Sequence, residues 1–135
     1  MTEREKQQMA VKKFEHVGIQ VKDIEASKAF YQNVVGLELL SEMIHTNGTM
    51  KLSFLGIDGS IIVELIEGYN PNLPTEGKVH HVAFTVEGIE QEKERLQSLD
   101  VSLVWEDITE LPNGAKYLFF LGPDGEWIEF YEPGQ

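Results

Sequence analysis

The stretch HVGIQVKDIEASKAFYQ (His16–Gln32) lies without a gap over HVAFTVEGIEQEKERLQ (His81–Gln97), so the chain carries two copies of one unit. Each copy opens on a strand of alternating or apolar β-branched residues and passes into a helical stretch. In the first copy Asp23 stands as the N-cap, Ile24, Phe30, Tyr31 and Val34 form an apolar stripe, and Gly36 is placed to end the helix. Ile89, Leu96 and Leu99 mark the second helix, and Glu90, Glu92, Lys93, Glu94 and Arg95 read as its solvated face. Farther on, MKLSFLGIDGSIIVELIE (Met50–Glu67) lies over KYLFFLGPDGEWIEFYE (Lys116–Glu132), with one residue dropped after the turn. The tripeptides IDG (Ile57–Gly59) and PDG (Pro123–Gly125) suit hairpin turns.

The predicted order is β-α-β-β-β, twice. It implies an α+β fold in which two βαβββ modules turn curved mixed sheets towards a shared cavity, because one helix covers only one face of each sheet. Module one takes residues 13–67, a linker rich in glycine, proline and asparagine takes 68–78, and module two takes 79–132, within a single domain 13–135. Residues 1–12 are polar and charged and are expected to form a flexible tail.

Bulk properties narrow the chemistry. Among 135 residues, 41% apolar and 25% charged, there is no cysteine, which excludes a disulfide scaffold, thiolate metal sites and a cysteine nucleophile. No apolar run approaches the roughly 18–20 residues needed to span a bilayer, and no signal peptide is visible, so a cytoplasmic location is expected. A formal net charge of −12 argues against nucleic acid and anionic membranes as partners. An anionic substrate would need a local positive centre, and a bound cation is one.

Strand parity sorts the candidate residues. Val17, Ile19 and Val21 share one face of the first strand; His16, Gly18 and Gln20 share the other. Val82, Phe84 and Val86 oppose His81, Ala83 and Thr85 in the matching strand. The apolar sets should cover the helices and the histidine sets should face the cavity. On this parity His80 falls on the helix side and reads as a bystander. In the closing strands Glu64 and Glu129 stand mid-strand among large apolar residues, where an unpaired buried carboxylate costs several kcal/mol. Singly, a strand-start histidine reads as structural and a mid-strand glutamate as solvent-facing. Here the interval from His16 to Glu64 equals that from His81 to Glu129, and all four fall on the predicted open face. Two imidazoles and two carboxylates suit Zn²⁺, Ni²⁺, Co²⁺, Mn²⁺ or Fe²⁺, with room for substrate oxygens. Trp127 and Tyr131 flank Glu129 on its face as substrate-facing or packing aromatics, and His45 lies exposed near a turn.

HVGIQVKDIEASKAFYQNVVGLELL, HHVAFTV and FLGPDGEWIEFYE together resemble the vicinal oxygen chelate superfamily, and within it the glyoxalase I (lactoylglutathione lyase) group, from about Phe14 to Glu132. The resemblance implies that His16, Glu64, His81 and Glu129 are the ligands of a divalent metal that binds two vicinal oxygens. It implies conversion of a 2-oxoaldehyde–thiol hemithioacetal into a 2-hydroxyacyl thioester through an enediolate, with Glu129 as the base and Glu64 as its opposing partner. The arginines of the chain are Arg4 and Arg95, few for a thiol such as glutathione that carries two carboxylates. The same residues are also similar to methylmalonyl-CoA epimerase, an isomerase acting on an acyl-CoA. Ring-cleaving Fe or Mn dioxygenases and metal-free drug-binding resistance proteins are more distant alternatives. The uncovered sheets and their edges point to a homodimer, and the sequence leaves open whether each metal draws on one chain or two.

Overall fold

A computed structural model describes residues 14–75, 77 and 79–134. The expected N-terminal tail and linker positions 76 and 78 lie outside the described residues. The elements are β1 (Val17–Val21), α1 (Ile24–Phe30), β2 (Glu38–Ile44), β3 (Lys51–Ile57), β4 (Ser60–Glu67), β5 (Val82–Thr85), α2 (Ile89–Ser98), β6 (Thr109–Glu110), β7 (Lys116–Leu121) and β8 (Trp127–Glu132). They build an α+β fold of two four-stranded mixed sheets, ordered β1-β4-β3-β2 and β5-β8-β7-β6. In each, the strand before the helix runs parallel to the closing strand, and the remaining ladders are antiparallel. No helix among the described residues is long and apolar enough to cross a membrane.

Local chemistry explains the helix boundaries. Asp23 Oδ1 accepts from the backbone N–H groups of Glu25 (3.1 Å) and Ala26 (3.3 Å), which satisfies two of the donors orphaned at the start of α1. After Phe30 the backbone widens into a single π turn, Tyr31–Val35, and Gly36 at φ +95° ends it. The glutamates that close the two repeats cap the helices as well. Glu67 Oε1 accepts from Ile24 N (2.9 Å), and Glu132 Oε1 accepts from Gly88 N (2.8 Å) and Ile89 N (3.1 Å). A carboxylate at a helix N-terminus also interacts favourably with the positive end of the macrodipole. One stripe residue departs from expectation: Ile89 and Leu96 are buried, whereas Leu99, past the end of α2, is exposed.

The residue missing from the second copy has a structural meaning. The β3–β4 ladder shifts register between Leu55 and Gly56, and Ile62 is the extra residue that β4 carries there. Ahead of the turn, sequence alignment sets Phe54 over Phe120. In the ladders, however, Phe54 faces Glu64 and Phe119 faces Glu129, so Phe119 is the true counterpart. Gly56 is required at the shift, since a Cβ there would lie 1.8 Å from the Ser60 carbonyl oxygen.

The two modules share an interior. Tyr31, Leu55, Val63 and Leu65 of the first and Ile89, Leu96, Phe120, Ile128 and Phe130 of the second belong to one buried cluster. Phe30 reaches Phe120 across the seam, with ring centroids 6.2 Å apart. Hydrogen bonds tie the modules together, among them Tyr31 Oη to Glu126 Oε2 (3.0 Å), Arg95 to the Val34 carbonyl (2.7 Å) and Lys22 N to Asp124 Oδ2 (3.1 Å). Arg95 is thus a cross-module tie as well as a partner of Glu92, not simply part of a solvated face.

Burial, and after it the Glu126 carboxylate, push the Tyr31 hydroxyl well above its usual range. Tyr31→Phe is expected to destabilise the fold by about 1.5–3 kcal/mol, the usual worth of a hydrogen bond to a charged group, seen as a lower urea midpoint at neutral pH. The sign above neutrality follows from linkage. The unfolded tyrosine loses its proton near pH 10, before the folded one does, so stability falls as pH rises beyond that value. The phenylalanine variant should lack this component of alkaline destabilisation, and an unchanged midpoint and pH slope would refute the role.

Candidate metal centre

Glu64 points away from the core because its neighbours Val63 and Leu65 point into it; Ile128 and Phe130 do the same for Glu129. The parallel ladders place Gly18 beside Glu64 and Ala83 beside Glu129. These small residues leave room for the histidine just before each strand to fold over the glutamate. His16 Nε2 lies 3.1 Å from Glu64 Oε1, and His81 Nε2 lies 2.9 Å from Glu129 Oε1. On the antiparallel side, Phe54 and Phe119 set ring edges against the imidazoles, at centroid distances of 6.2 and 4.9 Å. Histidine, glutamate, a small residue and a phenylalanine therefore recur at equivalent places on both sheets.

Parity placed all four side chains on the open faces, and the structure brings each histidine to its own glutamate. It does not bring the pairs together: among the described residues, no group of three or more His, Asp or Glu side chains is placed to hold one metal ion. Each carboxylate is mostly buried (side-chain exposure 18% for Glu64, 12% for Glu129) and has an imidazole nitrogen against it, as a hydrogen bond in the case of His16 and Glu64. The donor set fits a divalent cation. Two donors about 2.1 Å from a shared ion stand about 3.0–3.4 Å from one another, from octahedral to tetrahedral angles, near the separation found in each pair. With no thiolate on offer, imidazole and carboxylate oxygen suit borderline ions such as Zn²⁺, Ni²⁺ or Co²⁺.

The second face is richer than parity suggested. Trp105, which is exposed, packs edge-on against Phe119 (5.9 Å) and Trp127 (5.7 Å), and Tyr117 meets Phe119 at 5.6 Å. Trp127 had a sequence signal, being on the face of Glu129; Phe119 was hidden by the one-residue shift, and Trp105 lies in an irregular segment without periodicity. His80 is not on the helix side. It stands two residues before β5, farther out than His81, and its ring follows packing against Trp127 (4.9 Å), with Nδ1 2.8 Å from His81 Nδ1. A cleft of about 210 Å³ between β1 and the approach to β5 is lined by Val17, Ile19, Val79, His81 and Trp127 and gives access to this pair. His45 lies exposed and closes its own turn, accepting from Asn47 N (3.0 Å).

The sequence profile of the Glyoxalase/Bleomycin resistance protein/Dioxygenase superfamily matches residues 13–130. The chain is 45% identical over 123 residues to the uncharacterized protein YwbC of Bacillus subtilis (strain 168), covering 90% of this chain and 98% of that one. It is 30% identical to a lactoylglutathione lyase of Schizosaccharomyces pombe over 147 residues, covering 90% of this chain and 47% of that protein. It is likewise 30% identical over 125 residues to the metallothiol transferase FosB of Lysinibacillus sphaericus, covering 91% and 84%. Among solved structures, a glyoxalase family protein from Enterococcus faecalis superposes with a TM-score of 0.74 at 26% identity, covering 92% of this chain and 100% of that one.

Proposed function

We propose, from the premise that this chain belongs to the glyoxalase/bleomycin resistance protein/dioxygenase superfamily, that it is a metal-dependent lyase/isomerase of the glyoxalase I type acting on a 2-oxoaldehyde–thiol hemithioacetal. The observation that carries this reading is the pair of equivalent His–Glu constellations, His16–Glu64 and His81–Glu129. These four residues would hold a divalent cation, which would supply Lewis acidity to the substrate. Since one chain holds the pairs apart, the full ligand set is completed by a second copy, each site taking one pair from each chain of a homodimer.

In this site Glu129 removes the proton from the substrate carbon that bears sulfur and returns it to the neighbouring carbon. The ketone becomes the hydroxyl and the hemithioacetal carbon becomes the thioester carbonyl. Phe119, the ladder partner of Glu129, and Trp127 line the flank of the carboxylate with aromatic surface. Glu64 holds the opposite flank. Arg95 is committed to Glu92 and the Val34 carbonyl, which leaves it unsuited to clamp a thiol's carboxylates. A thiol less anionic than glutathione fits this site better.

Elemental analysis tests the metal reading: wild type should carry a divalent cation and His81→Ala should lose most of it. A substrate panel tests the chemistry, offering the loaded protein methylglyoxal with several thiols, methylmalonyl-CoA, and a catechol under oxygen. Thioester formation, with deuterium entering at the carbon next to its carbonyl in heavy water, supports the reading. Turnover of methylmalonyl-CoA alone moves the protein to the epimerases, ring cleavage with oxygen uptake to the dioxygenases. Thiol consumption without an isomerised product would favour thiol transfer.

A further inference from the structure

We propose that His80 is a positioning residue for His81, accepting the His81 Nδ1 proton and so holding the Nε2 lone pair towards the cation; this rests on the metal reading above. The two Nδ1 atoms are 2.8 Å apart, and the rings meet nearly at right angles (88°). The His80 ring is itself braced, with Trp127 at 4.9 Å and Phe119 at 6.2 Å, both edge-on. Its position therefore comes from packing against the same aromatic wall that backs Glu129.

The chemistry requires a partner that can both give and take a hydrogen bond. His81 Nε2 stands 2.9 Å from the Glu129 carboxylate, so in the tautomer that carries its proton on Nε2 that proton faces the negative charge and Nδ1 accepts from His80 Nδ1–H. When Nε2 ligates a cation, the neutral ring carries its proton on Nδ1 and must donate it. A backbone carbonyl serves only the second arrangement, and a backbone N–H only the first. An imidazole serves both by moving its own proton between nitrogens, so His81 is satisfied before and after loading. Of the two adjacent histidines, His81 binds the cation and His80 aims the His81 ring.

Zn²⁺ affinity measured by competition with a chromophoric chelator tests this in wild type, His80→Phe and His80→Gln. Phenylalanine keeps a ring against Trp127 but offers no acceptor, and it should weaken binding about 10–100-fold, as loss of such partners does. Glutamine, with an acceptor and a donor, should recover much of that loss, while the melting temperature of the metal-free protein stays the same in all three. Long-range ¹H–¹⁵N spectra of zinc-loaded wild type should place a proton on His81 Nδ1 and none on His80 Nδ1, a readout that does not depend on any variant folding. His80→Phe binding zinc as tightly as wild type, or a His80 Nδ1 that keeps its proton when loaded, overturns the proposal alone. A wild type that takes up no zinc overturns the metal reading with it.

Discussion

Glu129→Gln is expected to lower turnover by about 10²–10⁴-fold, the usual contribution of one positioned general base. The amide keeps the size and much of the hydrogen-bonding shape of the carboxylate, so His81 retains an acceptor where Glu129 Oε1 now stands at 2.9 Å. What it removes is the ability to take a proton from carbon. It also removes a ligand charge, so kcat must be compared at matched metal occupancy, which elemental analysis on the assayed sample provides. Glu64→Gln is the control. It changes the same chemistry on the equivalent sheet, beside Phe54 and without the Phe119–Trp127 wall, and its loss should be smaller at equal occupancy. A fully loaded Glu129→Gln protein turning over like wild type would remove Glu129 from the mechanism.

Two inactive variants should restore each other. One carries His16→Ala and Glu64→Ala, the other His81→Ala and Glu129→Ala; by itself each leaves every site of its homodimer with a single His–Glu pair. If a site takes one pair from each chain, a mixed dimer has one site lacking both pairs and one site intact. Co-expressed with different affinity tags, the mixed species should bind about one cation per two chains, whereas the homodimers bind almost none. Activity should follow the metal. Within one chain the pairs stand apart: no three His, Asp or Glu side chains among the described residues are placed to hold one metal ion, and the modules are tied by Tyr31–Glu126, Arg95–Val34 and the shared aromatic interior. A mixed species as empty as its parents would show that both pairs of a site come from the same chain, after a rearrangement of the modules.

Much of this arrangement was legible in the sequence, because the signals are local. Alternation has a period of two, so the burial of Val63 and Leu65 forces Glu64 outward, and Ile128 and Phe130 do the same for Glu129. The near-repeat then implied two equivalent sheets, and Asp23 and Gly36 marked the ends of the first helical stretch by residue type alone. Alternation fails where a residue leaves the strand or a strand gains a residue. His80 stands two residues ahead of β5 and follows packing against Trp127 instead, and the extra Ile62 of the first copy shifts the alignment so that the partner of Glu129 is Phe119 and not the aligned Phe120.

Other features are decided only in three dimensions. Glu67 and Glu132 look like solvated strand ends, yet they cap helices that begin more than forty residues earlier in the chain. Arg95 looked like surface charge and ties the modules. By itself the sequence determined the fold class and the outward direction of Glu64 and Glu129, since each follows from neighbours a few residues away. The tertiary structure alone decided that these residues meet as two separate His–Glu pairs, and that His80 touches one of them, because pair distances depend on how sheets and helices pack and not on the period of any strand.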